Sequence, residues 1–161
     1  MNLEELYGRY GENLYRYLLF RLGSPEDAED VLQETFCRFA RYAVRWRLVR
    51  NPQAFVFGVA RNEVNRFLRR KLSLPAGNPP LFDRACSFSA ALAAPAEPSA
   101  LILVELADRL PEEQKEVIFM KVFDGLTFKE IGSACGISAN TAASRYRYAL
   151  DKLRAALEET R

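Results

Sequence analysis

Between residues 24 and 42, apolar side chains return at every third or fourth position: Ala28, Val31, Leu32, Thr35, Phe36 and Phe39. That spacing predicts an amphipathic helix with these residues on its buried stripe and Asp27, Asp30, Gln33, Glu34 and Arg41 on its outer face. Ser24 stands where a hydroxyl can cap free backbone donors, Pro25 suits the first helical position, and Glu26 and Asp27 complement the helix dipole. A helix over roughly residues 2–22 precedes it. Asn51-Pro52 repeats the cap-then-proline start and opens a third helix to about Lys71, with Phe55, Val59, Val64 and Phe67 on its core face.

The pattern then breaks. Leu72 to Ala100 holds five of the eight prolines, with Ala, Ser and Gly filling much of the rest, and reads as a linker. Beyond it, helices are expected near residues 99–109 and from Pro111 to Phe123, the latter ended by Gly125. Thr127-Phe128-Lys129-Glu130 forms a capping box opening a short helix. Gly136 stops that helix, and Ser138 caps the next, which runs to about Glu158. A short helix, a glycine turn and a longer helix make a helix-turn-helix layout. The expectation is an all-α chain of two small helical domains, 1–71 and 99–161, joined by a Pro/Ala-rich linker over 72–98.

The last helix divides into two sides. Ala142, Tyr146, Ala149, Leu150, Leu153 and Leu157 are expected to pack on the domain, leaving Asn140, Ser144, Arg147 and Asp151 outward, flanked by Thr141, Arg145, Tyr148 and Lys152. Small residues at its start let the backbone enter a major groove, where Asn and Ser side chains can bond base edges. Arg145, Arg147 and Lys152 would hold phosphates. The bland alternative is an amphipathic helix with a solvated charged face; the capped short helix and glycine turn favour DNA.

Charge separates two further surfaces. Residues 1–37 carry three Arg against eight Asp and Glu, whereas residues 38–71 carry nine Arg and one Lys against the single acid Glu63. Such asymmetry points to two partners, the basic side facing nucleic acid. In that stretch aromatics alternate with charge: Arg45-Trp46-Arg47, Arg50-Asn51, Arg61-Asn62, Asn65-Arg66-Phe67, Arg69-Arg70-Lys71. Arginines on phosphates and apolar or aromatic pockets for unstacked bases suit opened DNA better than duplex. Trp46 and Phe67, taken singly, fit a core better than a stacking platform.

Other chemistries fall away. The three cysteines are widely spaced and form no CxxC pair, so neither a disulfide framework nor a cysteine zinc site is expected. Cys37 and Cys135 are expected as small buried residues and Cys86 as a loop thiol. With no His, the commonest general base and most zinc sites are missing, and no metal or cofactor is expected. No apolar run reaches membrane-spanning length and the acidic start lacks a signal peptide's pattern, so a soluble cytoplasmic protein is expected.

Four segments together carry a resemblance: DAEDVLQETFCRFARY (27–42), NPQAFVFGVARNEVNRFLRRK (51–71), LPEEQKEVIFMKVFDGLTFKEIG (110–132) and GISANTAASRYRYALDKLR (136–154). In order and spacing they resemble bacterial sigma factors of the extracytoplasmic-function group. The resemblance implies that Asp27, Asp30, Gln33 and Glu34 dock on the beta-prime clamp helices of core RNA polymerase, with the beta flap as a second contact. It implies that Arg45, Trp46, Arg47, Arg50 and Asn51 capture minus-ten bases beside a DNA-facing helix bearing Asn62, Asn65, Arg66, Arg69 and Arg70. Minus-thirty-five contacts would fall to Ser138, Ala139, Asn140, Thr141, Ala143, Ser144, Arg145 and Arg147. An anti-sigma protein is a further implied partner, and catalysis is not implied.

The chain departs from the family pattern at Ala143, where a lysine is usual, and in the arginine-rich stretch between Arg41 and Pro52. Two other readings stand beside this one. A stand-alone helix-turn-helix regulator would leave the acidic helix and the arginine-rich module without a job. A small nuclease would use Asp27, Glu29 and Asp30 as metal ligands, with no other motif converging on them.

Overall fold

A computed structural model describes residues 2–71, 87–92 and 98–160, and among them all regular structure is helical. The helices are α1 (Leu3–Leu22), α2 (Pro25–Arg41), α3 (Pro52–Lys71), α4 (Phe88–Ala91), α5 (Pro98–Asp108), α6 (Glu112–Val122), α7 (Phe128–Cys135) and α8 (Ala139–Thr160), with a 3-10 turn at Ala43–Leu48. Cys86 and most of the proline-rich stretch lie outside the described residues.

Local signals set these boundaries. Asn2 and Glu5 form a reciprocal capping box, the Glu5 amide donating to Asn2 Oδ1 at 2.7 Å. Ser24 Oγ accepts from the Asp27 amide at 3.3 Å with Pro25 in the first turn, and Asn51 Oδ1 accepts from the Ala54 amide at 3.2 Å. Thr127 caps α7 and Ser138 caps α8, each accepting from the amide three residues on. Gly136 ends α7 at φ 70°, a left-handed conformation that other residues adopt at a cost. Gly132 is demanded by space: a Cβ there would lie 2.6 Å from the Ile137 carbonyl oxygen.

Helices α1, α2 and α3 pack on one another, and α6, α7 and α8 form a second group. The buried apolar residues nevertheless join into one cluster running through both groups. Helix α3 lies along α7, where the Cβ position of Gly58 comes within 3.6 Å of Ala134 Cα. Phe20 of α1 stacks on Phe119 of α6 with centroids 4.6 Å apart, and Tyr17 lies 6.1 Å from the same ring. Within the stretch read from sequence as linker, α4 docks on α1 and α5: Phe88 is buried, and Asp108 accepts from the Phe88 amide at 2.6 Å.

Two expected core positions lie elsewhere. Cys37 is exposed, because Val31, Thr35 and Phe39 take the inward line of α2 and Cys37 lies to its side. Leu150 is exposed too, whereas Ala142 and Ala149 are buried, so the face of α8 that packs is narrower than the apolar stripe in its sequence.

Candidate nucleic-acid interface

Helix α8 presents its first turns to solvent. Ala139 and Asn140 are exposed, Thr141, Ala143 and Ser144 are half-buried, and Arg147 is exposed with its guanidinium 5.4 Å from the Tyr148 ring. Ser138 Oγ lies 2.8 Å from Thr141 Oγ1, so the cap fixes both hydroxyls at the helix start. Arg145 reaches back to Glu113 of α6 at 3.4 Å. The resulting surface is small-chained at its tip and cationic at its sides, the shape needed to approach base edges between phosphates.

The basic stretch splits into two groups. Asn62, Asn65, Arg66, Arg69 and Arg70 recur at helical spacing along α3. Asn62, Arg66 and Arg70 are exposed; Asn65 Oδ1 accepts from Arg21 Nη2 at 2.8 Å. Arg66 and Arg38 both pair with Glu63, at 3.3 and 2.8 Å; this acid is 3 % exposed and anchors α2 to α3. The second group, in the 3-10 turn and the residues after it, holds Arg45, Arg47, Arg50 and Asn51, all exposed. Beside them Val44 and Leu48 are 92 % and 80 % exposed, apolar side chains that no core demands. A cavity of about 480 Å³ opens here, lined by Tyr42, Arg45, Leu48, Arg50, Asn51 and Phe55, with Ser133 of α7 at its edge.

Trp46 belongs to the wall of this turn. Its Nε1 donates to the Phe39 carbonyl at 3.3 Å, and its ring meets Phe39 and Phe55 edge-on at 5.7 and 5.2 Å. Both the ring and the indole N–H are engaged within the protein, so the residue holds the turn against α2 and α3.

The acidic face lies on α2. Asp30, Gln33 and Glu34 are exposed, while Asp27 pairs with Lys71 of α3 at 2.7 Å. Between α1 and α2 an open groove of about 1100 Å³ has an apolar floor that includes Tyr7, Leu32 and Phe36, with Glu4, Glu12 and Glu29 at its rim. Acidic and apolar groups therefore adjoin on one side of the molecule.

Two models of one family cover most of the chain: Sigma-70 region 2 matches residues 6–73 and Sigma-70 region 4 matches residues 100–153. The chain belongs to the sigma-70 family. SigL, an ECF RNA polymerase sigma factor of Mycobacterium tuberculosis, is 29 % identical over 98 % of this chain and 89 % of its own length. Two solved structures share the fold. CnrH, in complex with the cytosolic domain of CnrY, superposes with TM-score 0.67 at 23 % identity, over 98 % of this chain and 88 % of that one. RpoE of Bartonella quintana, in complex with the anti-sigma factor NepR, does so with TM-score 0.66 at 18 % identity, over 98 % and 97 %. The protein is thus a sigma factor of the extracytoplasmic-function group.

In this sigma factor no cluster of three or more metal-ligating side chains occurs among the described residues. None of the described helices is long and apolar enough to cross a membrane. Burial pushes the Cys135 thiol up to about 12, with Glu116 adding to the shift, which makes that cysteine unreactive. Sequence reasoning passed over Val44 and Leu48, although two apolar residues among arginines are themselves a signal. Glu63 stands out in the sequence only as the single acid of its stretch, and Glu116 not at all, because its partners Tyr17, Arg21 and Arg61 lie far back along the chain.

Proposed function

We propose that this sigma factor binds core RNA polymerase and directs it to promoters by reading a minus-ten and a minus-thirty-five element. The observation that carries the reading is the presence of three separate surfaces on one chain: acidic and apolar on α1–α2, arginine-rich on α3 and the turn before it, and groove-sized on α8. A stand-alone DNA reader needs the last of these alone.

Asp27, Asp30, Gln33 and Glu34 form the docking face for the beta-prime clamp helices, and the adjoining groove adds apolar area to a contact that acids alone would hold weakly. The cavity at Tyr42, Phe55, Arg45 and Arg50 takes a base drawn out of the stack, with Leu48 in its wall and the exposed Val44 on the same turn. Asn62, Arg66, Arg69 and Arg70 follow the backbone of the same opened segment along α3. Helix α8 enters the major groove with Asn140 and Ser144 towards base edges and Arg145 and Arg147 on phosphates. No bond is made by this chain; polymerase supplies the chemistry. Because both structural neighbours were solved with a partner that binds them, CnrY or the anti-sigma factor NepR, an inhibitory protein is a further partner proposed here.

The reading is tested by core binding. Reversing Asp30 and Glu34 together to Lys is expected to abolish co-elution with core polymerase while the circular dichroism spectrum stays helical. Undiminished affinity in the folded double variant would refute the docking face.

A further inference from the structure

The seam between α1/α3 and α6/α7 is centred on a charge. Glu116 of α6 is 2 % exposed, and its Oε1 receives the Tyr17 hydroxyl at 2.9 Å and Arg61 Nε at 2.8 Å, with Arg21 Nη1 at 3.6 Å. All three donors come from the minus-ten half, and the acid comes from the minus-thirty-five half. Arg21 is wholly buried and also donates to Tyr17 Oη and to Asn65 Oδ1, at 2.9 and 2.8 Å. Around this centre lie the Phe20–Phe119 stack, the approach of Gly58 to Ala134, and a bond from Gln53 Nε2 to the Asp124 carbonyl at 2.9 Å.

Reading two promoter elements at once is incompatible with this closed seam. Elements centred about 25 base pairs apart lie about 85 Å from one another at 3.4 Å per pair. A compact chain of 161 residues has a radius of gyration of only about 15 Å. In the closed form, Ser133 of the helix-turn-helix lines the very cavity bounded by Arg45 and Arg50.

We propose that the Glu116–Arg61–Arg21–Tyr17 cluster is an intramolecular latch that keeps the free sigma factor closed, and that docking on polymerase must break it. The inference rests on the proposed function for its promoter-reading argument and its docking arm; the closed seam itself does not. An ionic centre suits a seam that has to open. A wholly apolar seam would lose burial with nothing in return, whereas separated Glu116, Arg21 and Arg61 regain hydration and so offset much of the broken pairing. The cluster also sets register, since a displaced Glu116 would be a buried acid taken away from Tyr17, Arg21 and Arg61.

The test uses the full-length chain with two variants. Glu116→Gln keeps the shape of the side chain and removes the counter-charge; Gly58→Trp wedges α3 from α7 without touching a charge. Small-angle scattering of the wild type is expected to give a radius of gyration near the compact value of about 15 Å. Each variant should exceed about 20 Å with its helical circular dichroism retained, as expected when two folded halves separate. Core-polymerase affinity should rise by about ten-fold or more, because the apparent Kd is raised by the scarcity of the open form. Should Glu116→Gln lose helix content, Gly58→Trp alone decides. Compact, folded variants, or open variants with unchanged Kd, would overturn the latch. If the variants open but no form of the chain binds core polymerase, the polymerase reading falls and the closed seam stands.

Discussion

Asp124 shows how a single buried group shapes the behaviour of the whole. It is 7 % exposed, and neither carboxylate oxygen has a hydrogen-bond partner among the described residues. Burial raises its ionisation from 3.8 to about 8, with Arg16 opposing the shift. Between those values the unfolded chain gives up a proton that the folded chain keeps, so raising the pH favours unfolding. Asp124→Asn is therefore expected to stabilise the protein increasingly from pH 4 to pH 8 in thermal melts. Profiles that stay parallel would show that the carboxyl ionises freely in the fold. On α8 the expected division is between reading and holding. Asn140→Ala should cost roughly 1–3 kcal/mol on a matched minus-thirty-five duplex and little on a scrambled one. Arg145→Ala should weaken both alike and lower the salt slope by about one unit. Equal losses on both duplexes for Asn140→Ala would mean that the helix holds DNA without reading it there. Residues of this kind were visible in the sequence because the helix wheel places them. Glu116 was not, because its hydroxyl partner Tyr17 stands 99 positions away and only the packed fold joins them.

At the level of elements, the helices were legible from their ends more than from their middles. Ser24-Pro25, Asn51-Pro52, Thr127 with Glu130, and Gly136 before Ser138 each mark a boundary that the structure keeps. Misplacements came from width: an apolar stripe predicts which side of a helix turns inward, not how far round the neighbours reach, and Cys37 and Leu150 lie beyond that reach. The helix-turn-helix depends on a tight corner at Gly132. Gly132→Ala would press a methyl against the Ile137 carbonyl at 2.6 Å, and the expected cost is about 1–3 kcal/mol in urea unfolding, with loss of duplex binding. A variant as stable as the wild type would show that the turn relaxes easily.

Across the whole molecule, sequence patterning divided the chain into two helical halves but carried no sign of how they meet. The proline-rich stretch suggested independence; the structure gives one continuous apolar cluster, a stacked Phe20–Phe119 pair and a buried acid between two arginines. Those contacts join residues from opposite halves, so neither half's periodicity reveals them. The proposed assignment of three surfaces to polymerase, opened DNA and duplex DNA is tested together by run-off transcription. Purified chain and core polymerase would be offered templates bearing both promoter elements, either element alone, or neither, with start sites mapped. Transcripts should begin at one position downstream of the paired elements, require the added chain, and fall sharply when either element is scrambled. Transcription that is unchanged by the chain, or indifferent to scrambling of both elements, would refute the assignment.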